Sequence, residues 1–261
     1  MHKPVAVQNS GHLRKLLLAC LFLVVPFLVF VGLPSARTRS QVPPADDAAA
    51  LLAGYRQVEV ASVSDALEQL TGRKMYMSHR MRPIFPTKFA GFAVTVSLKK
   101  EANDDPNALN GMLAAIDQGS KDSVYVMVVE DGIDIAGMGG LMGTAMHARE
   151  YAGAVIDGGV RDVAQLKRIN FPVYALGIVP STSVHHYRFA GSNIPVVCDG
   201  IEVKPADIIA ADQDGVVVVP RHLAQKVLTL AQEMDFKEHS MYAYIEKLKS
   251  IQEAVRTFGR L

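Results

Sequence analysis

Two stretches of this chain hold residue types that could act together on a small anion. GGLMGTAMHARE, starting at Gly139, joins a glycine pair to a helical pattern, and GAVIDGGVRD, ending at Asp162, delivers an arginine and an aspartate directly behind another glycine pair. Arginine offers a fixed fork of donors to a carboxylate, and aspartate offers hard oxygens to a divalent cation. A helix opening near Leu141 adds free backbone amides and a positive dipole end. Such a set could bind a carboxylate and stabilise oxygen charge as it develops in a reaction. A plainer reading has Asp162 capping the helix that follows it and Arg161 reaching a surface carboxylate. Both readings stand at this point.

The elements that must position these residues are legible as patterns. Ala154-Val155-Ile156 is apolar and largely β-branched, which predicts a buried strand with Asp157-Gly158-Gly159 as the turn at its carboxyl end. In open α/β sheets ligands gather at the carboxyl ends of strands, so the Arg161-Asp162 pair sits where sites sit. From Phe89 onward, short apolar runs (FAGFAVTVSL, VYVMVVE, FPVYAL, NIPVVCDGIEV, DIIAA, GVVVVP) alternate with the helical stretches NALNGMLAAID, LMGTAMHARE and DVAQLKRI. That alternation predicts an α/β fold, taken here as a three-layer α/β/α domain with a largely buried sheet. Upstream, VASVSDALEQL predicts a helix capped by Ser62 or Ser64, with Ala66, Leu67 and Leu70 on one face. The C-terminal stretch from Arg221 is charged and helix-periodic at Leu223, Val227, Leu230 and Ala231.

The N-terminus is a different matter. Residues 16–33, LLLACLFLVVPFLVFVGL, carry no charge and would span roughly 27 Å as a helix. Residues 1–33 are therefore expected to be a signal peptide or a membrane anchor, which would make the protein exported, periplasmic or membrane-anchored. Residues 34–50, rich in Pro, Ala and charge, read as a linker, and 51–261 as the folded domain. The formal net charge is +1, there is no Trp and the aromatic content is 7%, so the basic excess and stacking platform of a nucleic-acid domain are missing. Of the two cysteines, Cys20 lies in the apolar segment and Cys198 stands alone, which leaves no intrachain disulfide framework.

The succession VSDAL, AGFAVTV, GGLMGTA, GAVIDGGVRD, FPVYALGIVP, IPVVCDGIEVKPADIIAADQDGVVVVP and a late Lys237-Glu238, in this order, resembles the RraA-like family. That family includes the class II 4-hydroxy-4-methyl-2-oxoglutarate aldolases and the regulators of ribonuclease E activity. The resemblance covers about residues 55–258 and implies a swivelling-type α/β/α domain, assembled as a homotrimer or hexamer with active sites between subunits. It implies a lyase acting on a small 2-oxo acid, by retro-aldol cleavage or oxaloacetate decarboxylation through a pyruvate enolate. Asp162 would hold magnesium or manganese, and Arg161 would contact the keto acid. The loop Gly140, Leu141, Met142 and Gly143 would receive its carboxylate, and Glu238 would be contributed to a neighbouring subunit's site. The regulator members imply the alternative of a non-catalytic binding protein.

The chain departs from the aldolase pattern in two places. Aldolases carry an acid twenty-one positions before the arginine, where this chain has Gly140, and favour another three positions after the aspartate, where it has Gln165. Gln165 can hydrogen-bond water but cannot act as a base. Glu130 and Asp131 are the alternative acids, with solvated loop carboxylates as their plain reading. Asp65 and Asp214 also fit family motifs, and a helix cap and a turn account for them without chemistry. His185, His186, Tyr187 and Arg188, in STSVHHYRFAGSN, either line a substrate pocket, with Arg188 reading a distal carboxylate, or form an ordinary exposed loop.

Overall fold

The structure, a computed structural model, describes residues 45–259. The apolar segment 16–33 and most of the expected linker lie outside them. Among the described residues no helix is long and apolar enough to cross a membrane.

Helix α1 (Ala45–Gln57) opens inside the stretch expected to be linker. Its alanines and early aspartates favour a helix start, and Leu51, Leu52 and Tyr55 are buried. The Tyr55 hydroxyl donates to the Ala224 carbonyl at 2.6 Å. Helix α2 (Val60–Thr71) begins before both serines expected to cap it, and Ser62 is buried within it. Its first amide, from Val60, donates instead to Asp212 Oδ2 at 2.9 Å, and the Glu59 amide to Asp235 Oδ1 at 2.9 Å. Leu70, expected on the buried face, is exposed.

Then follow β1 (Arg82–Pro83), β2 (Phe89–Lys100), α3 (Asn110–Gln118), β3 (Ser123–Val129), β4 (Ala136–Met138), α4 (Gly140–Ala148), β5 (Gly153–Val160), α5 (Val163–Arg168) and β6 (Val173–Ile178). After them come β7 (Tyr187–Ser192), β8 (Val196–Cys198), β9 (Ile201–Val203), β10 (Ile208–Asp212) and β11 (Gly215–Val219). The expected single C-terminal helix is two, α6 (Ala224–Leu248) and α7 (Ile251–Phe258), broken where Lys249 turns left-handed and Ser250 caps the second.

Among the described residues nine strands form one sheet in the order β1-β6-β5-β3-β2-β10-β11, with β4 added on β5 and β7 on β2; β8 and β9 form a separate hairpin. The run β2, β3, β5, β6 is parallel, and β10 and β11 are antiparallel. Because the crossovers from β2 to β6 all move in one direction along the sheet, the right-handed rule puts α3, α4 and α5 on the same face. There Met112, Ile116, Met146 and Leu166 pack on Tyr125, Met127 and Ile156. Helices α1, α2 and α6 cover the alternate residues of β10 and β11, Ile208, Ala210, Val217 and Val219.

The opposite residues of the same strands, Val124, Val126, Val155, Ile209, Val216 and Val218, share one interior cluster with Cys198 and Val203 of the hairpin. The fold is thus mixed α/β, but the expected α/β/α layering is not what forms. The sheet curls until it is nearly closed, and its inner face is covered by its own strands and the hairpin rather than by helices. No reversal of strand order places a crossover helix there.

Leu67 is fully buried between α2 and the sheet. Leu67→Ala is expected to lower the unfolding free energy by about 2–5 kcal/mol, measured by urea denaturation of the purified protein.

Candidate active site

The Arg161-Asp162 pair follows β5 directly, and DGG is part of that strand rather than a turn after it. A register shift between Ile156 and Gly159 bends the pairing with β6 at this point. Gly159 makes room for protein: a Cβ there would stand 2.4 Å from a Val179 methyl and 2.9 Å from the Ile135 carbonyl oxygen. The space at this glycine is taken by the 131–135 loop, held by the Gly159 amide donating to the Ile135 carbonyl at 2.8 Å.

Strand β4 runs parallel beside the end of β5, and the Arg161 amide donates to the Met138 carbonyl at 3.0 Å. The two chain segments leave the sheet side by side. Asp162 adopts a left-handed conformation (φ 59°, ψ 37°) at the start of α5 but does not cap that helix with its side chain. Its Oδ2 instead accepts the Gly140 amide at 2.9 Å, so it caps α4. The glycine at 139 permits this, because a Cβ there would lie 2.7 Å from that same oxygen.

The amides of Leu141 and Met142 follow in the first turn of α4, where no intrahelical acceptor exists. The Leu141 side chain is 89% exposed, while Met142 and Gly143 are buried. Gly140 to Gly143 thus places a helix N-terminus against Asp162. Arg161 Nη1 donates to the Ser181 carbonyl at 3.0 Å, and its Nε lies 3.9 Å from Asp162 Oδ2. Their side chains are 43% and 53% exposed. An ion pair that open contributes about 0–1 kcal/mol to stability, so the pairing of the two side chains does little to hold the fold.

Ser181, which sequence reasoning passed over, secures the arginine's acceptor. Its hydroxyl donates to the Asp134 carbonyl at 2.8 Å and accepts the Ala136 amide at 2.9 Å, tying the segment after β6 to the one before β4. Thr144 was missed as well: it donates to the Gly140 carbonyl at 2.7 Å and accepts from Gln165 Nε2 at 3.0 Å. Gln165 Oε1 accepts from Arg168 Nη2, so both ends of the amide are engaged. For Thr144 and Gln165 the signal in the sequence was helical spacing; Ser181, in the segment after β6, had none.

Other expected residues lie elsewhere. The contacts of Glu238 are on α2 and α6: it accepts from the Tyr242 hydroxyl and lines a groove of about 240 Å³ with Ser62, Asp65, Glu68, Gln69 and Met234. Within one chain it is not brought to the Arg161-Asp162 loop. Asp65 stands mid-helix and caps nothing, whereas the Asp214 amide closes a turn on Asp212 Oδ1. Glu130 Oε2 accepts the Lys100 amide at 3.0 Å, and Asp131 occupies a left-handed turn. Arg188 is held by Glu101 at 2.7 Å and Asp105 at 2.9 Å, which answers the pocket-lining question against it. The Asn107 amide and Arg188 hold the Asp105 carboxyl below its ordinary value.

Asp157 belongs to the inner side of β5. Its Oδ2 accepts the Asp199 amide at 2.7 Å, which ties the turn of the β8-β9 hairpin to the strand that carries the site. Asp199 in turn accepts from the Ser78 amide at 2.6 Å and pairs with Arg80 at 3.0 Å. Burial raises the Asp157 pKa, and the hydrogen bond from Asp199 only partly offsets that. Burial also pushes the Cys198 thiol up, away from nucleophile chemistry.

The geometry defines an α/β domain with a helix N-terminus, a guanidinium and a carboxylate gathered at the carboxyl ends of parallel strands. The chain belongs to the RraA-like family (Aldolase/RraA), whose pattern matches residues 60–218. A relative from Halalkalibacterium halodurans, named "Putative 4-hydroxy-4-methyl-2-oxoglutarate aldolase", is 27% identical over 206 residues, covering 74% of this chain and 93% of that protein. A Bacillus cereus protein of the same name is 32% identical over 138 residues, 52% of this chain and 80% of its own length. Among solved structures, an uncharacterized Pseudomonas syringae protein superposes with a TM-score of 0.73 at 28% identity, covering 80% of this chain and 94% of its own. Streptomyces coelicolor RraAS2 shares the fold, with a TM-score of 0.66 at 22% identity over 78% of this chain and 98% of its own.

A buried carboxyl with a raised pKa binds its proton more tightly folded than unfolded. Stability is therefore lost as pH rises from the ordinary carboxylate range near pH 4 through the raised value of Asp157. Asp157→Asn keeps an acceptor for the Asp199 amide and removes the charge. It is expected to be more stable than wild type at pH 7 and to lack that part of the decline, measured by denaturant titration between pH 4 and pH 7.

Proposed function

We propose that the protein is a divalent-metal-dependent lyase that cleaves a carbon–carbon bond in a small 2-oxo acid, releasing pyruvate. One observation carries the reading. The Asp162 carboxylate accepts the Gly140 amide, which sets the carboxylate, the Arg161 guanidinium and the unpaired amides of α4 around one open corner of the fold. Kinship with relatives named as aldolases supports the same chemistry.

The donor set fits a hard cation that keeps most of its water. Asp162 is half exposed, and its Oδ1 makes no hydrogen bond among the described residues. Among those residues no three His, Cys, Asp or Glu gather as ligands, and Mg²⁺ characteristically takes one or two protein carboxylates with water and substrate. Such a cation would supply Lewis-acid stabilisation of the developing enolate oxygen.

The chain's own residues divide the remaining work. The amides of Leu141 and Met142, with the helix dipole behind them, receive the substrate's 1-carboxylate. Arg161, held by the Ser181 carbonyl, adds positive charge where the 2-oxo oxygen becomes anionic. In β-decarboxylation the bond to the departing carboxylate breaks, CO₂ leaves, and C3 of the enolate then takes a proton from water. In retro-aldol cleavage the C4 hydroxyl must also lose a proton, and Gly140, Thr144 and Gln165 supply no base. Within one chain, decarboxylation therefore suits this corner better. Glu238 would complete the site from a second subunit of a trimer or hexamer, and residues 1–33 would export the domain or anchor it.

A specific observation favours the rival reading of a non-catalytic binding protein: where aldolases favour an acid, Gln165 is neutral and is tied to Thr144 and Arg168, so that position supplies no base. A coupled pyruvate-release assay with oxaloacetate and with 4-hydroxy-4-methyl-2-oxoglutarate separates the two. The expected outcome is turnover with Mg²⁺ or Mn²⁺ that EDTA removes and that Asp162→Ala lowers by about 10²-fold or more, with oxaloacetate the better substrate. Folded protein giving no turnover above the free metal would establish the binding reading instead.

A further inference from the structure

We propose that the turn of the β8-β9 hairpin is a latch that aims the candidate site, with Asp157 and Asp199 as its positioning residues. Strand β5 changes partners at Asp157. Its pairing with β3 ends at Val128 opposite Asp157, its pairing with β4 begins at Ala136 opposite Gly159, and its register with β6 shifts across the same residues. An irregularity of this kind sends the residues beyond it in a new direction, and the residues beyond this one are Arg161 and Asp162. The Gly159 amide holds the far end of the shift on the Ile135 carbonyl at 2.8 Å. The near end is held by the Asp199 amide, which donates to Asp157 Oδ2 at 2.7 Å.

The turn that supplies this amide is itself fixed. Asp199 is left-handed (φ 43°), and its carboxylate, 1% exposed, accepts the Ser78 amide at 2.6 Å and Arg80 Nη2 at 3.0 Å. Opening those bonds would leave a charge inside the protein without partners, which is costly. Ser78 and Arg80 lie in a segment that joins the two ends of the sheet. On the β11 side the Val218 amide donates to the Met75 carbonyl at 2.9 Å and the Met77 amide to the Val216 carbonyl at 3.0 Å. On the β6 side Arg82 pairs with Ala175, and the Ile84 amide donates to the Val173 carbonyl at 2.9 Å. The segment 75–84 therefore closes the sheet, and Asp199 passes its hold to Asp157. Closure of the sheet and the aim of the Arg161-Asp162 corner are coupled through these two carboxylates, whatever substrate the corner takes.

Hydrogen exchange of the full-length protein, read by mass spectrometry, tests the latch without turnover. The reporter is the segment 139–144, whose Gly140 amide is held by Asp162, and the control is 208–219 in β10 and β11. Asp157→Ala is expected to speed exchange of the reporter about tenfold or more, the scale of one lost buried hydrogen bond, and to leave the control at the wild-type rate. Asp157→Asn keeps an acceptor for the Asp199 amide and is expected to match wild type. Asp199→Gly suits the left-handed backbone and keeps the amide while freeing it from Ser78 and Arg80, so it is expected to speed the reporter in part; it carries the test if Asp157→Ala does not fold. Mn²⁺ affinity by electron paramagnetic resonance is expected to fall in the same order. Reporter exchange unchanged in Asp157→Ala, or raised equally in 208–219 as a merely structural role would have it, overturns the proposal. Wild type that binds no Mn²⁺ counts against the lyase reading, and the exchange rates then decide the latch by themselves.

Discussion

Strand β5 is paired along both edges, to β3 and then β4 on one side and to β6 on the other, and the candidate site exists because of where that pairing ends. A strand with neighbours on both edges cannot slide, since each one-residue slip would send its buried side chains to the wrong face. The last rungs fix Val160 against Ile178 and hold the Arg161 amide on the Met138 carbonyl. Asp162 then has one direction left in which to turn. That direction faces the opening of α4, where the absent side chain at Gly139 leaves space for a carboxylate oxygen.

The functional groups are held by bonds that leave their chemistry free. Arg161 is steered by a backbone carbonyl rather than by a buried acid, and Asp162 gives one oxygen to a backbone amide and keeps the other. The Arg188 fork, closed between two carboxylates, is the contrast. Two arginines in one chain thus have opposite standing, one closed between two carboxylates and one held by a backbone carbonyl with its side chain 43% exposed. Neutral residues at 140 and 165 extend the same logic, because each acid absent from the corner leaves its potential more positive.

The curled sheet explains how one chain supports both halves of this arrangement. Its outer face carries the helices, so the dipole of α4 opens toward the strand ends, and its inner face packs on itself and on the β8-β9 hairpin. Asp157 links the two sides. It lies in the site-bearing strand, yet its carboxylate is taken by the hairpin.

Much of this was legible in the chain. The apolar runs from Phe89 onward become strands and the stretches between them become helices, since burial on a pleated or helical surface imposes its period on the residues themselves. The pairing of Arg161 with Asp162 behind GG, and the helix opening at Gly140, were readable for the same local reason. What the sequence could not carry was every decision taken between distant segments. That the DGG stretch stays in the strand, that Asp162 caps α4 and not its own helix, that Asp212 caps α2 in place of a serine, and that Arg188 is closed off all depend on which distant neighbours arrive. The layering was lost likewise, because one-way crossovers place every helix outside, and the inner face is then filled by whichever strands curl round to meet it. Composition and period determine which groups exist and which face they prefer. Only the closed sheet decides which of those groups meet, because a hydrogen bond between residues twenty or more positions apart has no signature in either local sequence.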